Sequence, residues 1–289
     1  MKTLAAAANR RQFLQTGLLG AAAVAAVGLP ANVPAAVTKP ERDTAAALKL
    51  GIASYTYRKF PLEAALAMTK EAGLKYINLK DMHLAINSTP DQRRAVRKQV
   101  EDAGLTLMGG GVIGLNNVEA DVRARFEYCK DAGMPVMVCT MAPEALDLVE
   151  KVAKDYEIRL AIHNHGPTDK HFPSPHDVFA AIKDRDARLG LCMDIGHTVR
   201  IGVDPAEAAI KCASRLYDLH LKDETLAKPA GKPTEVGRGV IDIVGLFKAL
   251  LQIKYSYHAG LEYEAKEANP QPGVLESVGY MRGVLATLA

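Results

Sequence analysis

The feature that most constrains the fold of this chain is an alternation, repeated eight times from Leu48 onward, of short apolar runs with segments of helical spacing. Helical segments open on a proline after a capping residue, as at Thr89-Pro90, and several end in Ala-Gly, as at Ala72-Gly73. Eight strand–helix units in about 240 residues are what a closed parallel barrel requires. The predicted strands are Leu48–Thr56, Leu74–Leu84, Leu105–Leu115, Met134–Met141, Ile158–Gly166, Leu189–His197, Leu216–Asp223 and Ala259–Tyr263.

An open, doubly wound sheet is the alternative arrangement of the same units. Such a sheet usually carries a GxGxxG fingerprint after its first strand, where this chain has Ser54-Tyr55-Thr56-Tyr57. The Gly109-Gly110-Gly111 run in the third predicted strand lacks the spacing that cradles a phosphate. We therefore predict an α/β fold, a (β/α)8 barrel, over residues 48–289.

A separate N-terminal segment precedes the predicted barrel. Arg10-Arg11 stand ahead of Phe13-Leu14 and an apolar run over residues 18–29, and Val33-Pro34-Ala35 offers a small-residue cleavage site. This pattern is typical of a twin-arginine export signal. An uncleaved membrane anchor is the alternative, but the run is well short of the roughly 20 residues that span a bilayer. We expect a signal peptide over residues 1–35, a linker over residues 36–47, and export to the periplasm.

The charge of the chain argues against some partners. It holds 36 basic and 33 acidic residues, and three of the basic ones, Lys2, Arg10 and Arg11, lie in the first 35 positions, which contain no acid. Without that segment the protein is close to neutral. A neutral domain lacks the basic surface that attracts nucleic acid or an anionic membrane. We therefore expect no nucleic acid and no stable membrane association after cleavage, and we leave a homo-oligomer open.

Four cysteines, Cys129, Cys139, Cys192 and Cys212, could pair in an oxidising compartment. Each lies inside a predicted helix or apolar strand, however, and none has CxxC spacing. We expect them to act as small hydrophobic residues rather than as disulfides or zinc ligands.

Polar residues collect at the predicted C-terminal ends of strands, where a barrel of this kind carries its active site. Five of the eight histidines lie at these ends. Imidazole and carboxylate groups converging from different strands predict one divalent metal ion, with Mn, Zn, Co, Fe or Mg preferred to Ca. The end sequences are Lys80-Asp81-Met82-His83, His163-Asn164-His165-Gly166, Asp194-Ile195-Gly196-His197, His220-Leu221-Lys222-Asp223 and Glu262-Tyr263-Glu264.

Three motifs carry a resemblance when taken in their order and spacing. They are Met193-Asp194-Ile195-Gly196-His197, His220-Leu221-Lys222-Asp223 and Gly237-Arg238-Gly239-Val240-Ile241-Asp242. Together they resemble the xylose-isomerase-like barrel superfamily of sugar isomerases and epimerases, which also includes inosose dehydratases and, more distantly, apurinic endonucleases. The similarity covers nearly everything after Leu48.

The resemblance implies one metal held by a glutamate of strand five, an aspartate of strand six, a histidine of strand seven and a glutamate of strand eight. Asp194, His220 and Glu262 match the last three. Where many relatives read Glu-Asn-His-Gly, this chain has His163-Asn164-His165-Gly166, so His163 takes the ligand position. Because strand alternation sends both histidines to one side, His165 is the second candidate ligand and otherwise contacts substrate.

That departure changes the chemistry that the resemblance implies. In the epimerases and ketose isomerases, one metal-bound glutamate removes a proton from a sugar carbon and the other returns one, through an enediolate. A metal-bound imidazole has no free lone pair with which to act as the second base. Glu262 is then the predicted base, with Lys222, His197 or the unligated His165 as proton donor.

We expect a metal-dependent isomerase or epimerase that acts on an unphosphorylated sugar or keto-sugar. Sugar phosphates are scarce outside the cytoplasm, and the chain lacks a P-loop or an arginine cluster for phosphate. A lyase or dehydratase acting on a keto-sugar or keto-glycoside is the alternative, and a metal hydrolase is a third. A non-catalytic carbohydrate-binding barrel is the alternative from another class.

Overall fold

The predicted barrel is confirmed by the structure of the protein, a computed structural model that describes residues 48–288. Eight parallel strands close into a ring, and helices separate successive strands. The predicted signal peptide and the linker lie outside the described residues. The strands of the barrel are β1 (Lys49–Ala53), β2 (Tyr76–Leu79), β3 (Thr106–Gly114), β4 (Val136–Thr140), β5 (Arg159–His163), β6 (Leu189–Asp194), β7 (Leu216–Leu221) and β10 (His258–Leu261).

A short antiparallel ribbon, β8 (Asp223–Glu224) with β9 (Pro233–Thr234), follows β7. The helices begin where the capping residues predict, since Thr89 and Ser174 both form capping boxes and Asp204 caps the helix after it. The α-helices are α1 (Leu62–Glu71), α2 (Pro90–Asp102), α3 (Glu119–Ala132), α4 (Leu146–Ala153), α5 (Pro175–Ile182), α6 (Ile195–Arg200), α7 (Pro205–Lys211), α8 (Ile243–Gln252) and α9 (Gln271–Leu288).

The core divides by strand alternation into two apolar clusters. Leu160 and Ile162 of β5 belong to the larger cluster, in which strands pack on the surrounding helices. Ala161, between them, belongs to a smaller cluster inside the ring, together with Val138 and Cys192. Alternate residues of one strand therefore pack in different layers. The inward-pointing residues nearest the C-terminal end of the barrel belong to the candidate site.

Several strands end earlier than the sequence predicts. β6 ends at Asp194 rather than at His197, because the Asp194 side chain accepts the backbone N–H of His197 and so caps helix α6. The first predicted strand likewise stops at Ala53, and Ser54–Tyr57 form a 3-10 turn. His197 is therefore a helical residue, although it stays at the C-terminal end of the barrel.

The four cysteines are free and buried, as predicted. Burial raises the pKa of the Cys192 thiol well above its usual range, and the Asp218 charge adds to this effect. Among the residues that the structure describes, no helix is both long enough and apolar enough to cross a membrane.

Candidate active site

Four predicted ligands converge at the C-terminal end of the barrel. His163 Nε2 lies 3.0 Å from His220 Nδ1 and 3.5 Å from Asp194 Oδ2. His220 Nδ1 lies 3.2 Å from Glu262 Oε2, and one donor atom of each of the four residues lies within 4.8 Å of all the others. The four side chains are nearly inaccessible to solvent. The protein thus has a candidate metal site of two imidazoles and two carboxylates.

The register of the barrel brings these side chains together. Asp194 and His220 are paired residues on β6 and β7, and His163 is paired with Cys192, two residues before Asp194. Glu262 follows β10 directly, and its backbone N–H donates to Leu221 O of β7. Because all the strands are parallel, residues at the last inward-facing position of each meet at the same end.

Burial and neighbouring charges leave one imidazole of the site neutral and favour the charged forms of the other three groups. Burial lowers the pKa of His163 to about 3, so its ring is neutral, which is the form that ligates metals. Burial also acts to lower the pKa of His220, but the Glu262 carboxylate raises it to about 9. Burial acts to raise the pKa of the Asp194 and Glu262 carboxyls, but Lys222 at Asp194 and His220 at Glu262 hold both well below their usual range.

Lys222 is the charged residue in closest contact with this cluster. Its Nζ lies 2.8 Å from both Asp194 Oδ2 and Glu262 Oε2, and 2.6 Å from Glu264 Oε1. The contacts with Glu262 and Glu264 are hydrogen bonds, whereas the contact with Asp194 Oδ2 lacks hydrogen-bond geometry. Burial acts to lower the pKa of Lys222, but the three carboxylates together raise it well above its usual range. Lys222 is therefore a stable buried cation.

His165 and His197 line the cleft above the cluster. The His165 side chain is 44% exposed, and its ring centroid is 4.5 Å from that of His163 and 5.2 Å from that of His197. His165 does not belong to the set of converging donor atoms, whereas His163 does. This placement favours His163 as the ligand and leaves His165 facing the space above it.

The structure places His83 away from the other strand-end histidines. Its Nδ1 lies 2.8 Å from Ser54 Oγ and its Nε2 lies 3.0 Å from Phe60 O. The Lys80 backbone N–H donates to the same Ser54 hydroxyl. His83 therefore fastens the turn after β2 to the turn after β1, and its ring nitrogens are occupied by these contacts.

The cleft encloses about 360 Å³, and its lining includes residues to which the sequence analysis assigns no role. Glu264 lines it as a second carboxylate beside Glu262. Tyr55 lines it from the turn after β1, Lys80 from the end of β2 and Thr140 from the last position of β4. The place of Glu264 beside Glu262 could have been inferred from the sequence, because residues two apart along an extended chain point to the same side. Among the described residues that line the cleft there is no arginine, and so no arginine cluster for a phosphate group.

Asn164 has a supporting role that its place between two histidines does not suggest. Its side-chain oxygen accepts the backbone N–H of Asp194 at 3.0 Å, and its amide donates to Thr198 Oγ1 at 3.2 Å. The residue thus ties the end of β5 to the end of β6, where two of the converging side chains arise.

Asp223, in the motif that follows β7, is a structural residue. Its carboxylate accepts the backbone N–H groups of Gly237, Gly239 and Ile241. Gly237 has a φ of 95°, and a Cβ on Gly239 would lie 2.2 Å from Asp223 Oδ1, so both positions require glycine. Asp223 of the first motif thus anchors the loop that contains Gly237, Gly239 and Ile241 of the second. The two motifs therefore have a structural role as well as a place near the site.

The fold is shared with solved structures. A 3-keto-D-glucoside 4-epimerase from E. coli superposes with a TM-score of 0.68 at 14% identity, over 82% of this chain and 99% of that one. An uncharacterised protein from Parabacteroides distasonis gives a TM-score of 0.65 at 23% identity, over 82% of this chain and 99% of that one. At these identities the likeness concerns the fold.

Two sequence comparisons extend this likeness. An inosose dehydratase from Clostridium botulinum is 28% identical over 154 residues, which cover 47% of this chain and 51% of that protein. The match therefore spans about half the length of this relative. The family model described as xylose isomerase-like TIM barrel matches residues 66–284. The chain belongs to the xylose isomerase-like TIM barrel family.

Proposed function

We propose that the protein is a metal-dependent enzyme of the isomerase or epimerase type that acts on an unphosphorylated sugar or keto-sugar. The observation that carries this proposal is the convergence of His163, Asp194, His220 and Glu262 beneath an open cleft. Enzymes named as sugar epimerases share the fold. A neutral imidazole and two ionised carboxylates are the donor chemistry that a divalent transition metal prefers.

Different residues of the site are assigned to metal binding, proton removal and proton donation. His163, Asp194, His220 and Glu262 would hold the ion, which would supply a Lewis acid to polarise the substrate carbonyl. Glu262 is the base proposed to take the proton next to that carbonyl. Lys222, His197 and His165 are the proposed proton donors.

The neutral balance of the cleft supports an unphosphorylated substrate. Asp194, Glu262 and Glu264 carry three negative charges, which Lys222 and a divalent ion would together cancel. Lys80, which lines the cleft, donates to Val112 O and lies 3.2 Å from Asp81 Oδ1. The lining thus offers hydrogen-bonding groups for hydroxyls and little net charge for a phosphate.

A dehydratase acting on a keto-sugar is the second candidate function. It is favoured by the likeness to the inosose dehydratase and by His163, which replaces one of two symmetric carboxylates with a residue that cannot serve as the opposite base while it ligates. Proton removal next to a carbonyl is common to both reactions, and they differ in whether a hydroxyl then leaves.

Solvent deuterium tests the proposal. The protein, loaded in turn with Mn²⁺, Zn²⁺ and Co²⁺, is incubated in D2O with a panel of unphosphorylated keto-sugars and followed by NMR. Deuterium at the carbon next to the carbonyl supports the isomerase or epimerase, and an unsaturated product supports the dehydratase. Binding of sugar with neither outcome would support a carbohydrate-binding barrel and overturn the enzyme proposal.

We also propose export through the twin-arginine route, on the strength of residues 1–35 alone. Cell fractionation of the full chain, with Arg10 and Arg11 both changed to Lys in a parallel culture, tests this. The unaltered chain is expected in the periplasm and the variant in the cytoplasm; the same distribution for both would contradict the proposal.

A further inference from the structure

Lys222 occupies an unusual place for a lysine next to a candidate metal site. Its ammonium group is 2.8 Å from Asp194 Oδ2 and 2.8 Å from Glu262 Oε2, and the side chain is 4% exposed. These same two oxygens face the imidazoles, since Asp194 Oδ2 is 3.5 Å from His163 Nε2 and Glu262 Oε2 is 3.2 Å from His220 Nδ1. The ammonium group and a metal ion held by the four residues would therefore share both oxygens.

We propose that Lys222 is an internal cation that competes with the metal for Asp194 and Glu262, and that Glu264 takes over its ammonium group when the metal binds. The inference rests on the metal binding of the proposed function and assigns Lys222 and Glu264 the task of setting its affinity. Neither residue is a ligand in this account.

Charge explains why the two cations compete. A divalent ion at the four donors would lie within a few ångströms of the ammonium group, where like charges in a water-poor site repel strongly. The contact between Lys222 and Asp194 Oδ2 lacks hydrogen-bond geometry, so it is the contact most easily given up. Losing it frees an anionic oxygen for the ion.

Glu264 provides the place to which the ammonium group can retreat. Its Oε1 is 2.6 Å from Lys222 Nζ, the shortest of the three contacts, and its side chain is 29% exposed at the wall of the cleft. A shift of Lys222 toward Glu264 would keep one strong ion pair. It would also bring a hydrogen-bond donor toward the space where a substrate would lie, so that metal binding and the presentation of Lys222 to substrate are coupled.

The direction in which metal affinity changes when Lys222 loses its charge tests whether Lys222 and the metal compete. Lys222→Met keeps the approximate length of the side chain and removes its charge. The carboxylates of Asp194 and Glu262 then attract a metal cation more strongly. We expect the metal-stripped variant to bind Zn²⁺ and Mn²⁺ about tenfold or more tightly than the unaltered protein in isothermal titration calorimetry. Lys80→Met is the matched control, because Lys80 lines the cleft without contacting the four ligands, and its affinity should not change. Unchanged or weaker binding by Lys222→Met overturns the inference.

A double-mutant cycle tests the role of Glu264. Glu264→Gln leaves Lys222 without its third partner, so we expect metal to bind more weakly in the unaltered background and with a smaller change in the Lys222→Met background. Equal effects in the two backgrounds would mean that Glu264 acts by its charge alone, and would overturn its role in the inference.

If Lys222→Met does not fold, a crystal structure of the metal-loaded, unaltered protein decides the point. Lys222 Nζ should keep its contact with Glu264 and move away from Asp194 Oδ2; retention of both carboxylate contacts at 2.8 Å overturns the inference. If the unaltered protein binds neither Zn²⁺ nor Mn²⁺, the proposed metal dependence itself fails. The inference alone fails when the unaltered protein binds metal and the variants or the structure contradict the expected direction.

Discussion

Two polar layers lie one above the other inside the barrel, and each pairs an imidazole with a carboxylate from β7 and from β10 or the residue after it. The upper layer holds His220 of β7 and Glu262 after β10, whereas the lower layer holds Asp218 of β7 and His258 of β10. Asp218 is fully buried and His258 almost so. Sequence composition alone does not distinguish the layers, yet they differ in what their polar atoms can reach.

In the lower layer, the buried side chains are held by close packing more than by hydrogen bonds. His258 Nδ1 is 3.6 Å from Asp218 Oδ2, and within residues 48–288 neither ring nitrogen of His258 has a hydrogen-bond partner. A Cβ on Gly51 would lie 2.4 Å from His258 Nε2, so the ring fills space that the glycine leaves. The upper layer instead brings four donors to one point beneath a cleft. Convergence and access, rather than residue type, mark the candidate site.

The largest expected effect concerns the upper layer. Changing both Asp194 and His220 to Ala should abolish metal binding, and either single change should lower the affinity about tenfold or more, because each removes one converging donor. Metal content of the purified variants, measured by atomic emission, checks this. Full metal content in His220→Ala would contradict the assignment of the β7 ligand.

The lower layer should respond in stability rather than in metal affinity. His258→Ala leaves the buried Asp218 carboxylate alone beside a new cavity, and we expect a loss of about 3–5 kcal/mol in the free energy of unfolding. Denaturant titration measures that loss, and calorimetry on the folded variant should show an unchanged affinity for metal. A large loss of affinity in the folded variant would show that the two layers act as one site.

Strand β5 separates a ligand from a residue that faces substrate. His163→Ala should lower the affinity for metal about tenfold or more. His165→Ala should keep the metal affinity and lose turnover. Metal content and deuterium exchange, measured on both variants, distinguish the two roles. Loss of metal with His165→Ala alone would reverse the assignment.

The smallest expected effect concerns Glu224, a buried carboxyl that belongs to neither layer. Burial raises its pKa from 4.5 to about 7, and its Oε2 has no hydrogen-bond partner in the part of the chain that the structure describes. Because the folded state holds this proton more tightly than the unfolded chain, the carboxyl lowers stability as pH rises from about 4.5 to about 7. Glu224→Gln should therefore raise the melting temperature at about pH 8.5 and leave it nearly unchanged at about pH 4.5. Equal shifts at both values would contradict this.

The fold could be predicted from the sequence because its signals are local. Helix caps at Thr89 and Asp204 and left-handed glycines at Gly73 and Gly133 mark where elements begin and end, and each depends on a few neighbouring residues. The sequence predicts some strand ends too late. At β6, for example, Asp194 caps the next helix, and the apolar run before it does not reveal that role.

The site could be predicted only in outline. His163, Asp194, His220 and Glu262 stand out as polar residues that follow apolar strands, and their meeting follows from parallel strands. His83 shows the same local pattern but binds Ser54 and Phe60, contacts that depend on tertiary packing. No local pattern predicts that Lys222 contacts carboxylate oxygens of Asp194 and Glu262, because that contact depends on side chains from three neighbouring strands.

The Asp223 anchor makes the segment that follows it a module with fixed ends. Glu224 pairs with Pro233 in the short ribbon, and the Asp223 carboxylate holds the backbone from Gly237 to Ile241, so residues 225–232 leave and re-enter the barrel at points that do not depend on their own sequence. Lengthening such a closed segment costs only about 0.6 kcal/mol per doubling. Homologous barrels can therefore differ in the length and sequence of this stretch while the anchors on either side of it, and the candidate site, stay in place.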